Sequence, residues 1–568
     1  MLTIDDVWPA KATYRPGEEA MVRATLALQG DSSHQVTLDW RVRLLTHTLE
    51  RRRDRVVALP GETSVTFTFT LPSASFRGYG IDLDVSDAQG AIVATASTAL
   101  DALDAWPQAP RYGFLSDFAP ADPHAGTAVD TLARYHVNVV QFYDWMWRHY
   151  ALMPPTDEFT DALGRTLSLR TTRAKARTCR DRGMAALGYA AVYGAEPVYA
   201  LEHPDEMLYA SDGTPYSLDG LFYIMNIHRG NPWRDRILAE MARAVRETPF
   251  DGLHLDQYGF PRDEAFGPQP RSTPYDLATD FPPFIDDARA AARAARRDAR
   301  VIFNAVDNWP IETVAPTQQD ATYIEVWPPF DDYGDLQTLI LEARHLAPDK
   351  QVILAAYLTP LKGAVGDGLP PAEAATRLAS AAIWANGGFH LLMGEHNGAL
   401  CDAYYPAYAA MRPEFARVMR GYYDFVVRYE NLLSDPRLFT LPNDEAAAVV
   451  RVGGHPASPF GEAGLIWTMV RRMPHLLTVS LINLTDCPSA AWNTPQPPPV
   501  PLTHLDIEVR TDAVVQDVFV ASPDSDHGRP ISRPYHATRH DGHAYVRLSA
   551  PRLAYWSLVV VRTAPTHS

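Results

Sequence analysis

The stretch Phe250-Asp251-Gly252-Leu253-His254-Leu255-Asp256-Gln257 carries the fold in miniature. It is a short extended run in which residues two apart share a face, so His254 and Asp256 point the same way and the run ends on a carboxylate. A helical pattern precedes it, Trp233 to Glu247, and another follows, Leu277 to Arg297. Strand and helix alternate in the same way on both sides. Seven further strands are predicted at Tyr112 to Asp117, Val137 to Asp144, Ala185 to Val192, Val301 to Val306, Thr322 to Trp327, Val352 to Tyr357 and Gly388 to Gly394. Helices are predicted between them at Ala125 to Tyr135, Thr171 to Arg182, Tyr333 to Leu346 and Pro371 to Ala385. Eight such units in about 300 residues make a (β/α)8 TIM barrel.

The flanks read differently. Up to about Leu103 short apolar–polar alternations such as Val65 to Leu71 and Tyr79 to Val85 are separated by turns at Pro16-Gly17 and Pro60-Gly61, the pattern of an immunoglobulin-like β-sandwich. The proline-bearing segment Trp106 to Pro110 links it to the barrel. After Leu433 the runs Gly464 to Met469, Leu476 to Leu484 and Tyr555 to Val561 predict a C-terminal β-sandwich. The expected division is a multi-domain chain of 1–105, 106–432 and 433–568. Arg51, Arg52, Arg53 and Arg55 read as an exposed strand, and His527, His536, His540 and His543 flank an Asp541-Gly542 turn without a zinc spacing.

Composition narrows the function. The 568 residues are 46% hydrophobic and 21% charged, as in ordinary globular proteins, and no apolar run is long enough to span a bilayer. A net charge of −17 repels nucleic acid, so neither nucleic acid nor membrane is expected as a partner. Cys179, Cys401 and Cys487 are too few and too far apart for a disulfide framework or a metal site, and no metal or cofactor is expected. The start, Met1 to Pro9, lacks a basic-then-apolar leader, which predicts a cytoplasmic protein as sequenced, the alternative being a secreted one whose signal has been removed.

Barrel enzymes carry their reacting groups at the C-terminal ends of the strands. Here those ends hold Asp117, Asp144, Asp256, Asp307, Glu325 and Glu395, with no phosphate loop, G-x-S-x-G or H-E-x-x-H among the competing motifs. A ring of acids suits glycoside chemistry, in which two carboxyl groups flank the scissile bond. Alternation puts Tyr323, Glu325 and Trp327 on one face, where aromatic surface favours a protonated carboxyl. Tyr143, Trp145, Trp147, Tyr189, Tyr193, Trp309 and Trp327 crowd the same end, and sugar faces stack on such rings. The long connection from Gly194 to Pro232 adds further tyrosines and reads as a binding loop.

Five segments, Arg111-Tyr112-Gly113-Phe114, Tyr143-Asp144-Trp145-Met146-Trp147-Arg148-His149, Phe250 to Gln257, Phe303-Asn304-Ala305-Val306 and Tyr323-Ile324-Glu325-Val326-Trp327, resemble glycoside hydrolase family 66. That family contains endo-dextranases and cycloisomaltooligosaccharide glucanotransferases. The resemblance implies a retaining mechanism on α-1,6-linked glucose, with Asp256 as nucleophile and Glu325 as acid/base. Asp117, Tyr143, Asp144, Trp145, Tyr189, His254, Gln257, Asn304, Trp327 and Glu395, at or near the strand ends, are added as expected substrate contacts. Cyclising members carry a carbohydrate-binding module inserted in the barrel region; every interval here is accounted for by helix and loop, so hydrolysis of dextran or isomaltooligosaccharides is the leading expectation. A transglycosylase is the alternative, and a non-catalytic glucan-binding protein a more distant one.

Overall fold

The computed structural model describes every residue except 121–124, 269–273, 404–407, 541 and 565–568. All eight predicted barrel strands form, at Tyr112–Leu115, Val139–Phe142, Ala185–Ala191, Gly252–Asp256, Arg300–Val306, Thr322–Glu325, Val352–Ala355 and Phe389–His390. They pair in parallel and in chain order from first to eighth. A parallel bridge from Gly113 to Met393, with Phe114 N donating to Met393 O at 3.0 Å, closes the ring. Most strands are shorter than the sequence pattern suggests, because the chain leaves extended geometry soon after its last ladder bond. The eighth keeps only two residues of the expected Gly388 to Gly394.

Local chemistry sets the helices. Asn231 accepts from Trp233 N at 3.0 Å and Pro232 supplies a ready-made φ, so Pro232–Glu247 starts where its first orphan amides are satisfied. Its buried face, Trp233, Ile237, Met241, Ala244 and Val245, follows the helical period and packs on the barrel's outer wall. Burying Ile237 or Met241 contributes about 1.5–3 kcal/mol each. Asp276 caps Leu277–Ala295 and Ser168 caps Leu169–Asp181 in the same manner. Gly252 opens the fourth strand where a Cβ would collide with the Arg300 carbonyl of the neighbouring strand. The barrel interior has a core of its own, filled by Tyr112, Val139, Leu187, Ile302, Tyr323 and Ile353 among others.

Seven strands precede the barrel in two antiparallel sheets, one of Leu2–Pro9, Glu19–Leu28 and Gly61–Thr70, the other of His47–Ala58, His34–Leu44, Arg77–Ser86 and Ile92–Ala102. They bury a shared core around Val22, Trp40, Phe67 and Leu83, with the Trp40 and Phe67 rings stacked at 5.2 Å. Arg51 and Arg52 lie on the edge strand of the second sheet and pair with Asp39 and Asp54. Two further, largely antiparallel sheets follow the barrel around Val479, Ile507, Leu548 and Val559. There His540 lies 3.1 Å from Glu508; Asp541 is outside the described residues, and among those described no group of three or more acidic, His or Cys side chains is arranged to hold a metal. No helix among them is long and apolar enough to cross a membrane.

Helix Pro413–Arg428 joins the three regions. Arg428 donates to Asp82 of the preceding sheets at 2.8 Å, and Phe425 meets Trp556 of the following ones with ring centroids 4.8 Å apart. The barrel is thereby held from both sides.

Candidate active site

Asp256 ends the fourth strand, Glu325 ends the sixth, and Asn304 stands on the fifth between them. The parallel ladder fixes this order, since Leu255 pairs with Phe303 and Val306 with Glu325. Asn304 Nδ2 donates to Asp256 Oδ1 at 2.8 Å and to Glu325 Oε2 at 3.0 Å. A single NH2 group directs its two N–H bonds about 120° apart, which sets the two carboxylate oxygens about 5 Å from each other. Asn304 is thus a ruler between the acids. Each carboxylate has a second donor from the opposite side: Tyr189 Oη reaches Asp256 Oδ2 at 2.7 Å and Tyr357 Oη reaches Glu325 Oε1 at 3.0 Å.

The two acids disturb one another. Burial first, and the Glu325 charge second, push the Asp256 carboxyl up to about 7, against the pull of Asn304 and Tyr189. Burial also raises Glu325 above the ordinary glutamate range, opposed by hydrogen bonds from Asn304, Tyr357 and Trp327. Like charges at this distance hold one proton jointly near neutral pH. The donors at 2.7 and 2.8 Å stabilise the ionised form of Asp256, as those at 3.0 Å stabilise that of Glu325. His254 lies one layer below with its imidazole held neutral, its pKa driven down to about 3 by burial, and its Nδ1 2.9 Å from Tyr112 Oη. It contributes a ring and a hydrogen bond, not a charge.

Asp256, Asn304, Glu325, Tyr357 and His254 line a cleft at the C-terminal end of the barrel. Its floor is Phe114, Gln141, His254 and Tyr323; its walls are Tyr143, Tyr357, Leu400 and Asp402. Tyr143 packs on Phe114 at 5.0 Å and Tyr189 at 4.8 Å, so the wall on that side is aromatic and held rigidly. Two facing carboxyl groups about 5 Å apart in such a cleft can act as nucleophile and acid/base.

The sequence signature of Glycosyl hydrolase family 66 matches residues 9–560. The chain belongs to glycoside hydrolase family 66. It is 25% identical to a cycloisomaltooligosaccharide glucanotransferase of Niallia circulans over 709 aligned positions, covering 98% of this chain and 72% of that protein. It is 23% identical to a dextranase of Streptococcus salivarius over 574 positions, covering 86% of this chain and 68% of that protein. In three dimensions it superimposes on the Paenibacillus sp. cycloisomaltooligosaccharide glucanotransferase complexed with cycloisomaltoheptaose with a TM-score of 0.92, at 23% identity, over 99% of this chain and 100% of that one. That likeness is one of fold.

Within this family 66 chain the residues picked from sequence fall into three groups. Asp256, Glu325, Tyr143, His254 and Asn304 line the cleft, and Tyr189 touches it through Asp256. Gln257 and Trp327 support it from behind or beside. Gln257 Nε2 donates to Asn304 O at 3.2 Å while its Oε1 accepts from Gly259 N at 2.6 Å, and Trp327 bonds to Glu325 with its ring 6.3 Å from that of Tyr357.

Asp117, Asp144, Trp145 and Glu395 are not part of the cleft lining. Trp145 is fully buried, its Nε1 donating to Tyr189 O at 3.1 Å and its ring against Phe250, so it presents no face to a sugar. Asp144 adopts a left-handed backbone with φ of 49°, which ends the strand alternation and turns its carboxylate towards Arg165, 3.6 Å away. Glu395 is buried and accepts from Ser116 N, Ser116 Oγ and Asp117 N at 3.0–3.2 Å, with Lys175 Nζ 3.6 Å away. It anchors the end of the first strand. Asp117 is exposed and accepts from Ala119 N at 3.0 Å.

The 194–232 connection folds into a small three-stranded sheet of Gly194–Ala195, Phe222–Ile224 and Ser217–Leu218, with Tyr199 bonded to Glu206 at 2.7 Å and Tyr209 to Pro204 O at 2.9 Å. It stands beside the cleft, and none of its residues lines it. Sequence reasoning missed Gln141, Phe114 and Asp402. Gln141 was in view as the one amide in the apolar run Val139-Val140-Gln141-Phe142, a polar residue on an inward strand face.

Proposed function

We propose that this protein is a retaining hydrolase of α-1,6-glucosidic bonds in dextran or isomaltooligosaccharides. The observation that carries the reading is the single amide of Asn304 bridging Asp256 and Glu325, which sets their oxygens at the about 5–5.5 Å spacing of retaining enzymes and leaves no room for a water between carboxylate and anomeric carbon. In the first step the Asp256 carboxylate attacks C1 of the glucosyl unit and the bond from C1 to the leaving oxygen breaks. The Glu325 proton passes to that oxygen. In the second step Glu325, now ionised, takes a proton from water, the water oxygen attacks C1, and Asp256 is released. Tyr189 and Asn304 stabilise the Asp256 charge before attack and after release. Burial raises the Glu325 carboxyl above the ordinary glutamate range, which favours the protonated form an acid needs.

The glucan specificity rests on the relatives, which are named for isomaltooligosaccharide and dextran chemistry. The preference for water as acceptor rests on length. The alignment with the Niallia glucanotransferase runs to 709 positions, of which this chain fills about 557, so about 150 positions of that relative have no counterpart here. This is consistent with the absence of an inserted carbohydrate-binding module. A second reading, transglycosylation with a sugar hydroxyl in place of water, is favoured by the same relative and by another Niallia glucanotransferase 24% identical to this chain. On either reading we infer an immunoglobulin-like module over 1–105, the barrel over 106–432 and a C-terminal β-sandwich over 433–568.

Incubation with dextran and with isomaltotriose, following reducing ends and product sizes, tests this. Linear, shortened products are expected. Cyclic or lengthened products would move the assignment to the transferase, and no turnover of either sugar would overturn it.

A further inference from the structure

We infer that Gln141 is a specificity-determining residue that reads a ring hydroxyl of the glucosyl unit bound in the cleft. The inference rests on the function proposed above and extends it to a residue outside the catalytic pair. Gln141 projects from the second barrel strand onto the cleft floor and is only 3% exposed. Its Oε1 is buried and has no hydrogen-bond partner among the described residues. An unpaired amide oxygen in such a place is costly, because it has given up water without gaining a partner.

The surroundings are otherwise well provided. His254 has Tyr112, Asp256 has Asn304 and Tyr189, and Glu325 has Asn304 and Tyr357. On the floor it is the Gln141 Oε1 that offers a buried acceptor with no partner among the described residues, and the Asn304 Oδ1 beside the acids is the other such acceptor in the lining. A sugar hydroxyl is itself donor and acceptor, so one placed over the floor satisfies the stranded amide oxygen. A site built to bond a hydroxyl discriminates strongly against a ligand lacking it, because its own polar group is then stranded.

Two measurements test this together. Gln141→Met keeps the side-chain length and removes the amide. It should lower kcat/KM on dextran by about 10- to 1000-fold and, in the absence of sugar, raise Tm by about 1–3 °C, since the unpaired group is gone. A merely structural glutamine gives the opposite thermal result. Unchanged kcat/KM in a variant with measurable wild-type turnover, or a lowered Tm, overturns the inference. Wild type assayed on isomaltooligosaccharides deoxygenated at one ring hydroxyl at a time supplies the second arm. One position should lose at least about tenfold in kcat/KM, and Gln141→Met should erase that difference; uniform rates across the series contradict the inference even if the variant does not fold. Failure of wild type on every α-1,6-glucan strikes the functional reading instead, and the thermal arm still decides whether Gln141 is unpaired.

Discussion

The two ends of the barrel are both polar and both buried, yet they are built on opposite rules. At the N-terminal end, Arg111 enters the first strand with its guanidinium almost fully covered, bonding Asp101 at 2.6 Å, Glu430 at 3.3 Å and the His136 carbonyl at 2.6 Å. Burial and the neighbouring Asp101 hold Glu430 well above the usual carboxylate range, so one cation meets one anion and the charges balance. At the C-terminal end, Asp256 and Glu325 face each other with no cation in the cleft lining among the described residues, and Gln141 Oε1 has no partner among them. One end is organised to hold three regions of chain together. The other keeps like charges close, an arrangement that costs stability and that a reaction can use.

The sharpest break in this comparison is to remove either acid. Asp256→Ala or Glu325→Gln should cut turnover by about four to six orders of magnitude with the fold intact, checked by initial rates on dextran beside circular dichroism. Wild-type-like turnover in either variant would sink the assignment of the pair.

Next in size is a change at the opposite end. Arg111→Met strands Asp101 and Glu430 in a dry site and should destabilise the protein by about 3–5 kcal/mol, read by urea unfolding, while whatever remains folded keeps a near-normal kcat. A stable variant with crippled kcat would mean that the two ends are not separable in this way.

A subtler test moves the ruler. Asn304→Ala deletes the donors that favour the ionised form of each carboxyl, so both pKa values should rise and the acid limb of the kcat/KM profile should move to higher pH, with kcat falling about 10- to 1000-fold. An unmoved acid limb would show that Asn304 does not set the charge of the pair.

The smallest expected effect concerns stability. Because the Asp256 pKa is raised to about 7 on folding, its ionisation favours the unfolded chain from about pH 4 upward and reaches its full cost above about 7. Asp256→Asn removes that cost. Its Tm should match wild type near pH 4 and exceed it increasingly up to about pH 7–8, by differential scanning fluorimetry; a constant offset across that range would argue against the raised pKa.

Much of this was legible before any coordinates. The eight strands and their order were recovered, though not their ends, because β-branched and aromatic runs between helical patterns have few other interpretations, and alternation placed His254 with Asp256 and Tyr323 with Glu325 correctly on the inner face. Alternation failed where the backbone stops being extended. The left-handed φ at Asp144 sends Trp145 into the core although Tyr143, two residues earlier, lines the cleft. Glu395 follows a two-residue strand and lies in a turn with positive φ at His396 and Asn397, so its side chain folds back to the Ser116 and Asp117 amides. Gln141 gave no motif, because what distinguishes it is the absence of a partner, and partners are a property of the folded barrel.

The central claim, a retaining displacement by Asp256 assisted by Glu325, is tested most directly by the anomer first released from an α-1,6-glucan, followed by proton NMR before mutarotation. The account predicts the α-anomer as the initial product. Initial release of the β-anomer would mean that water attacks directly, and that the carboxyl groups do not work at the spacing Asn304 imposes.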